Sequence, residues 1–168
     1  MTAPHKPSDY NRQHPKDERA YEKRNEDSYQ SRGKYPEPSA CTGCGAVFKK
    51  GRWQWGIAPA DAHKHLCPAC QRVHDRVPAG VVTISGEFFT QHQQEIVGLV
   101  HNIEAKEKSE HPLQRIMSLT QDDSGITLSL TDFHLTHAIA EALKKAYQGE
   151  ASEHFVEKDS VMRASWSR

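Results

Sequence analysis

No uninterrupted apolar stretch in this 168-residue chain approaches the roughly 18 residues that a membrane-spanning helix needs. The first residues, Met1-Thr2-Ala3-Pro4-His5-Lys6-Pro7, carry neither an apolar export core nor a cleavage site. The expectation is a cytoplasmic protein without a membrane partner. Signatures of common catalytic scaffolds are also missing: there is no G-x-x-x-x-G-K-[ST] phosphate loop, no G-x-S-x-G nucleophile elbow and no G-x-G-x-x-G after a strand. No enzymatic reaction and no small-molecule substrate are expected. Net charge is absent too, with 22 Lys and Arg against 22 Asp and Glu, so the chain as a whole bears no basic signature for nucleic acid. Residues 1–39 have almost no aliphatic side chains among their Lys, Arg, Asp, Glu, Gln, Ser and Pro. Such a stretch buries too little apolar surface to offset its chain entropy, and a disordered charged tail is expected there. Its tyrosines, Tyr10, Tyr21, Tyr29 and Tyr35, read either as docking points or as soluble spacers.

Cysteine is scarce but patterned. The four cysteines form two tight pairs, Cys41-x2-Cys44 and Cys67-x2-Cys70, separated by 22 residues. In a chain with no export signal, such pairs stay reduced and hold metal in preference to forming disulfides. Two C-x-x-C turns supply four thiolates in the tetrahedron that Zn2+ favours, and the separation is similar to that of ribbon hairpins. Gly45 after Cys44 permits a close turn and Pro68 stiffens the second one. One structural zinc on Cys41, Cys44, Cys67 and Cys70 is the expected cofactor. A site closed by four cysteines leaves no open position for water or substrate, which argues against Lewis-acid chemistry. The competing reading makes Cys67-Pro68-Ala69-Cys70 a redox dithiol; the second matched pair argues against it. His63 and His65 lie near Cys67 as alternative ligands or solvent-facing neighbours. His134, His137 and Glu141 share one face of an expected helix, as a second metal site or simply as its polar side.

Charge is distributed unevenly. Residues 41–80 contain six Lys or Arg against two acids, and residues 81–168 eight against thirteen. The cysteine-bearing segment is the basic one. Lys49, Lys50, Arg52, Arg72 and Arg76 can neutralise phosphates, and Trp53 and Trp55 can stack on unpaired bases. The bland alternative makes the tryptophans the minimal core of a small metal-stapled unit.

Periodicity divides the remainder. Residues 40–79 are expected to form a four-cysteine zinc ribbon with a short hairpin near residues 49–55. From residue 80, the β-branched run 80–86 reads as a strand. A helix is expected from Phe89 to Glu110, carrying Phe89, Ile96, Val100 and Ile103 and stopped by His111-Pro112. Two strands follow around a turn at residues 121–125. A second helix, capped by Thr131 or Asp132, carries Leu135, Ile139, Leu143 and Ala146 and ends at Gly149. A last hairpin spans residues 154–166. The order β-α-β-β-α-β with an extra strand matches a ferredoxin-like α+β domain over residues 80–168, with two helices on one face of an antiparallel sheet.

The Cys-Thr-Gly-Cys-Gly opening, the Cys-Pro-Ala-Cys-Gln-Arg second turn and the β-α-β-β-α-β segment after it resemble the zinc-binding N-terminal region of the ribosomal large-subunit nuclear export adaptors. Residues 41 to about 166 look like a group of short, uncharacterised bacterial proteins related to that region. The resemblance implies the metal role of the four cysteines and suggests a ribosome-associated, RNA-binding protein. The alternative is a zinc-stapled adaptor or regulator that binds a protein partner.

Overall fold

The computed structural model describes residues 28–29 and 35–168. Most of the tail expected over residues 1–39 lies outside the described residues. Its last part is folded: Ser39 is buried, and the Tyr35 ring lies 5.2 Å from both Phe48 and Trp53.

The cysteine-bearing segment forms β1 (Ser39–Cys41), β2 (Val47–Lys49), β3 (Arg52–Gln54), β4 (His63–His65) and helix α1 (Pro68–Asp75). The expected hairpin is β2–β3, with the positive φ of Lys50 and Gly51 at its turn, the geometry that matches the twist of two-residue hairpin loops. Its strands run in the order β3-β2-β1-β4, with β1 antiparallel to β2 and parallel to β4. Its core consists of Cys41, Ala46, Phe48, Trp53, Cys67 and Ala69, with Leu66 and the distant Leu113 packed against it.

The second module has β5 (Gly80–Ser85), α2 (Glu87–Gln91), α3 (Gln93–Glu110), β6 (Ile116–Asp122), β7 (Gly125–Leu130), α4 (Phe133–Tyr147), β8 (Glu150–Val156) and β9 (Val161–Ser167). Strand alternation sends Val82, Ile84, Ile126, Leu128, Leu130, Ala164 and Trp166 into one core with Ile96 and Val100 of α3 and Leu135, Ile139 and Leu143 of α4. The opposite face is polar. Across it, register aligns Thr120, Thr127, Thr83, Ser165 and Ser152 in one hydroxyl row spanning all five strands. Glycine at position 80 lets α4 cross the sheet closely, because a Cβ there would fall 1.8 Å from Thr136 Oγ1.

Two local expectations need correction, and one open alternative is resolved. The helix placed over residues 89–110 is two helices, broken at His92 (φ −120°), whose ring stacks on Phe88 at 4.1 Å. Ala146 is exposed, so the apolar stripe of α4 is Leu135, Ile139 and Leu143, completed by Ala140. The cap is Asp132, whose carboxylate accepts from the N–H groups of His134 (2.7 Å) and Leu135 (3.3 Å). The stop at His111 stands: α3 ends at Glu110 and His111 has left helical geometry.

The α+β class agrees with expectation, but the strand order departs from the ferredoxin-like plan. β5, β6 and β7 make a split β-α-β unit, with β7 antiparallel between the other two. The strand after α4 does not return beside β5. It runs at the outer edge, and β9 turns back to insert parallel to β5, giving the mixed order β6-β7-β5-β9-β8. The physical reason is that β9 carries the apolar inward residues Met162, Ala164 and Trp166 that a central position buries, while β8 is largely exposed.

Candidate metal centre

Two loops of unlike structure bring the four cysteines together. Cys41 closes β1, and Cys44 lies in the turn to β2. Gly45 (φ 78°) reverses the chain there, its N–H donating to Cys41 O at 3.0 Å while the Cys41 N–H donates to Ala46 O at 2.8 Å. Cys67 is the N-cap of α1, its sulfur accepting from the Cys70 N–H at 3.4 Å, and Pro68 opens the helix. A helix N-terminus gathers unpaired N–H groups and positive potential, which suits anionic sulfur. The loops meet where the Cys67 N–H donates to Cys41 Sγ at 3.2 Å. Gly43 permits the approach, since a Cβ there would lie 2.9 Å from Cys70 Sγ.

All four sulfurs lie within 4.8 Å of one another, and Cys44 Sγ is 3.8 Å from Cys67 Sγ. A tetrahedron with metal–sulfur bonds of about 2.3 Å has sulfur–sulfur edges of about 3.8 Å. The four cysteines therefore fit a tetrahedral metal ion. Burial opposes ionisation of Cys41, but N–H groups of Cys67, Cys44 and Gly43 outweigh it and draw the thiol down to about 6. Burial pushes the Cys44 and Cys67 thiols up, with repulsion from neighbouring sulfurs adding to the effect at Cys67. A cation at the centre would supply the charge that lets the sulfurs ionise together.

The other nominated residues are dispersed. Among the described residues, the cysteines are the only group of three or more candidate metal ligands that comes together. His63 and His65 lie on β4 outside it, and the His65 ring is 5.8 Å from Tyr35. His137 Nδ1 is 2.9 Å from the Glu153 carboxylate, and the His134 ring stacks on Phe133, so neither joins Glu141 in a metal group. Lys49 and Arg52 face each other across the β2–β3 turn and Lys50 lies in it, all three exposed. The backbone N–H groups of Lys50 and Gly51 donate to the Glu37 carboxylate at 2.8 and 2.9 Å. Trp53 is buried in the module core between Tyr35 and Phe48, which takes it away from any base. Trp55 is 38% exposed and its indole N–H donates to Lys108 O. Arg72 is only 5% exposed, donates to Val77 O at 3.2 Å and lies 4.4 Å from the centre of the Tyr29 ring. Arg76 is exposed at the end of α1 in left-handed geometry.

Sequence reading missed Arg115. From the connection between α3 and β6, its Nη2 donates to Cys67 Sγ and Cys70 Sγ, 3.3 Å from each. Burial disfavours its charge, but the hydrogen bond to Cys70 and the charges of Cys70, Cys67 and Cys44 prevail and raise its pKa. No local pattern signals an arginine 45 residues beyond Cys70.

No protein-family model matches this chain, and no curated protein matches it. No described helix is long and apolar enough to cross a membrane.

Proposed function

We propose that this chain is a non-catalytic zinc-binding protein, in which a tetrathiolate ion staples the cysteine module as a ribbon and the module contacts structured RNA. The single observation behind the metal assignment is the set of four cysteine sulfurs within 4.8 Å of one another. An all-thiolate donor set favours Zn2+ over hard cations, and four protein ligands leave no position for a reacting water, so the ion is structural. The resemblance to the zinc-binding region of the ribosomal export adaptors points the same way, and the reduced thiols suit the cytoplasm.

The RNA reading rests on the exposed turn carrying Lys49, Lys50 and Arg52, with Arg76 and the partly exposed Trp55 elsewhere on the module. Trp53 and Arg72 are left out of it because both are buried. Phosphate contacts release counterions, so binding to a structured RNA should fall steeply as salt rises. The double charge reversal Lys49→Glu, Lys50→Glu should remove most of that binding while zinc content stays at one per chain. Binding that is insensitive to salt and to the reversal sinks the RNA reading. A protein-binding adaptor then becomes the better one.

A further inference from the structure

We propose that the metal centre is also the joint between the two modules, with Arg115 as the positioning residue that ties the α+β sheet to the loaded cysteines. This rests on the cysteines holding a dication, and it is independent of RNA.

Four thiolates around a dication carry a net charge of −2, and the site reaches outward through sulfur alone. Arg115 meets two of those sulfurs at once. Among the described residues its guanidinium has no carboxylate partner, and its Nε is buried without a hydrogen bond. An arginine so placed depends on the sulfurs for its counter-charge. The acceptor pair belongs to one turn of α1, at its N-cap and third position, and a bound metal would hold those two sulfurs in one fixed orientation.

The arginine is held equally firmly from its own side. Its backbone N–H donates to Thr131 Oγ1 at 2.8 Å, and the Thr131 N–H donates back to Arg115 O at 3.0 Å. Thr131 hydroxyl also donates to Leu113 O at 2.6 Å, and Leu113 packs on the cysteine-module core. Thr131 directly precedes the cap of α4. The path from metal to sulfur, guanidinium, Thr131 and α4 is thus continuous. Besides it, the modules are linked by the short segment 76–79, by Leu113 and by the Trp55 N–H on Lys108 O. Loading the site therefore orients one sheet against the other, and emptying it frees them.

The test uses the full chain, with zinc content measured first. Backbone 15N relaxation then compares the tumbling of amides in β1–β4 with that of amides in β5–β9. In the zinc-loaded protein the two sets should share one correlation time. Stripping zinc should separate them, with the β5–β9 amide shifts retained. Zinc-loaded Arg115→Ala should give separated tumbling and faster transfer of zinc to a chelator, with affinity lower by about ten- to a hundredfold, as expected for loss of a group that supports metal ligands. Arg115→Lys should recover part of both, and in the Co2+-substituted protein both variants should shift the thiolate-to-metal charge-transfer band. Absence of bound metal would overturn the zinc reading together with this one. Common tumbling in the stripped wild-type chain would overturn this inference together with the stapling role of the ion, whereas common tumbling in zinc-loaded Arg115→Ala would overturn this inference alone and leave the zinc reading standing.

Discussion

The α+β module buries fourteen residues in one core, none of them cysteine, drawn from three strands and three helices. The core of the cysteine module buries six, two of which are cysteines of the candidate metal centre, and its strands are only three residues long. At about 25 cal/mol per Å2 of apolar surface removed from water, the first core can sustain its fold unaided. The second cannot be expected to, because small units need a staple. On the proposed function, one chain thus contains a module ordered by burial and a module ordered by ligation. Their dependence on temperature, chelator and acid should differ accordingly.

Metal removal should have the largest effect and should divide the two modules. Chelation, or Cys67→Ser, should abolish hydrogen-exchange protection in β1–β4 while amides of β5, β7 and β9 remain protected. Structural zinc contributes about 10–16 kcal/mol of apparent binding energy in comparable small units. Acid should act in the same direction, because protons compete with the metal for sulfur. Zinc release followed against falling pH should therefore rise as protonation of the thiols becomes favourable. Equal loss of protection in both sheets would erase the distinction.

The converse experiment strikes the apolar core. Ile139, fully buried on α4, packs against the sheet, so Ile139→Ala should cost about 2–5 kcal/mol through lost burial and the cavity it leaves. Calorimetry should show a lower melting temperature for the α+β transition, with zinc still at one per chain. A smaller change tests the edge of the comparison. Asp132→Ala removes the acceptor for the His134 and Leu135 N–H groups at the start of α4, worth about 1 kcal/mol. Denaturant unfolding should register that loss. Because Asp132 adjoins Thr131 but leaves its hydrogen bonds to Arg115 in place, zinc release should not change.

Much of this architecture could be read locally. Two C-x-x-C turns announced the metal centre because ligand chemistry needs particular residues at particular spacings. The alternation of Ile126, Leu128 and Leu130 announced β7, and the stripe of Leu135, Ile139 and Leu143 announced α4, since both periodicities come from backbone geometry. The break at His92 and the exposure of Ala146 escaped notice because both depend on which neighbours a helix meets.

What local pattern could not supply was the arrangement of distant segments. Trp53 and Arg72 look like surface contacts until Tyr35, Phe48 and Tyr29 are folded onto them. Strand β8 looks like a neighbour of β5 until the inward residues of β9 claim that place. Arg115 acquires its role only when the loop after α3 is brought to the cysteines. Residue type and spacing act through the backbone over a turn or two, so they determine local structure and ligand sets. Which buried group meets which partner is settled by packing across the whole chain, where the free energy of each contact depends on all the others.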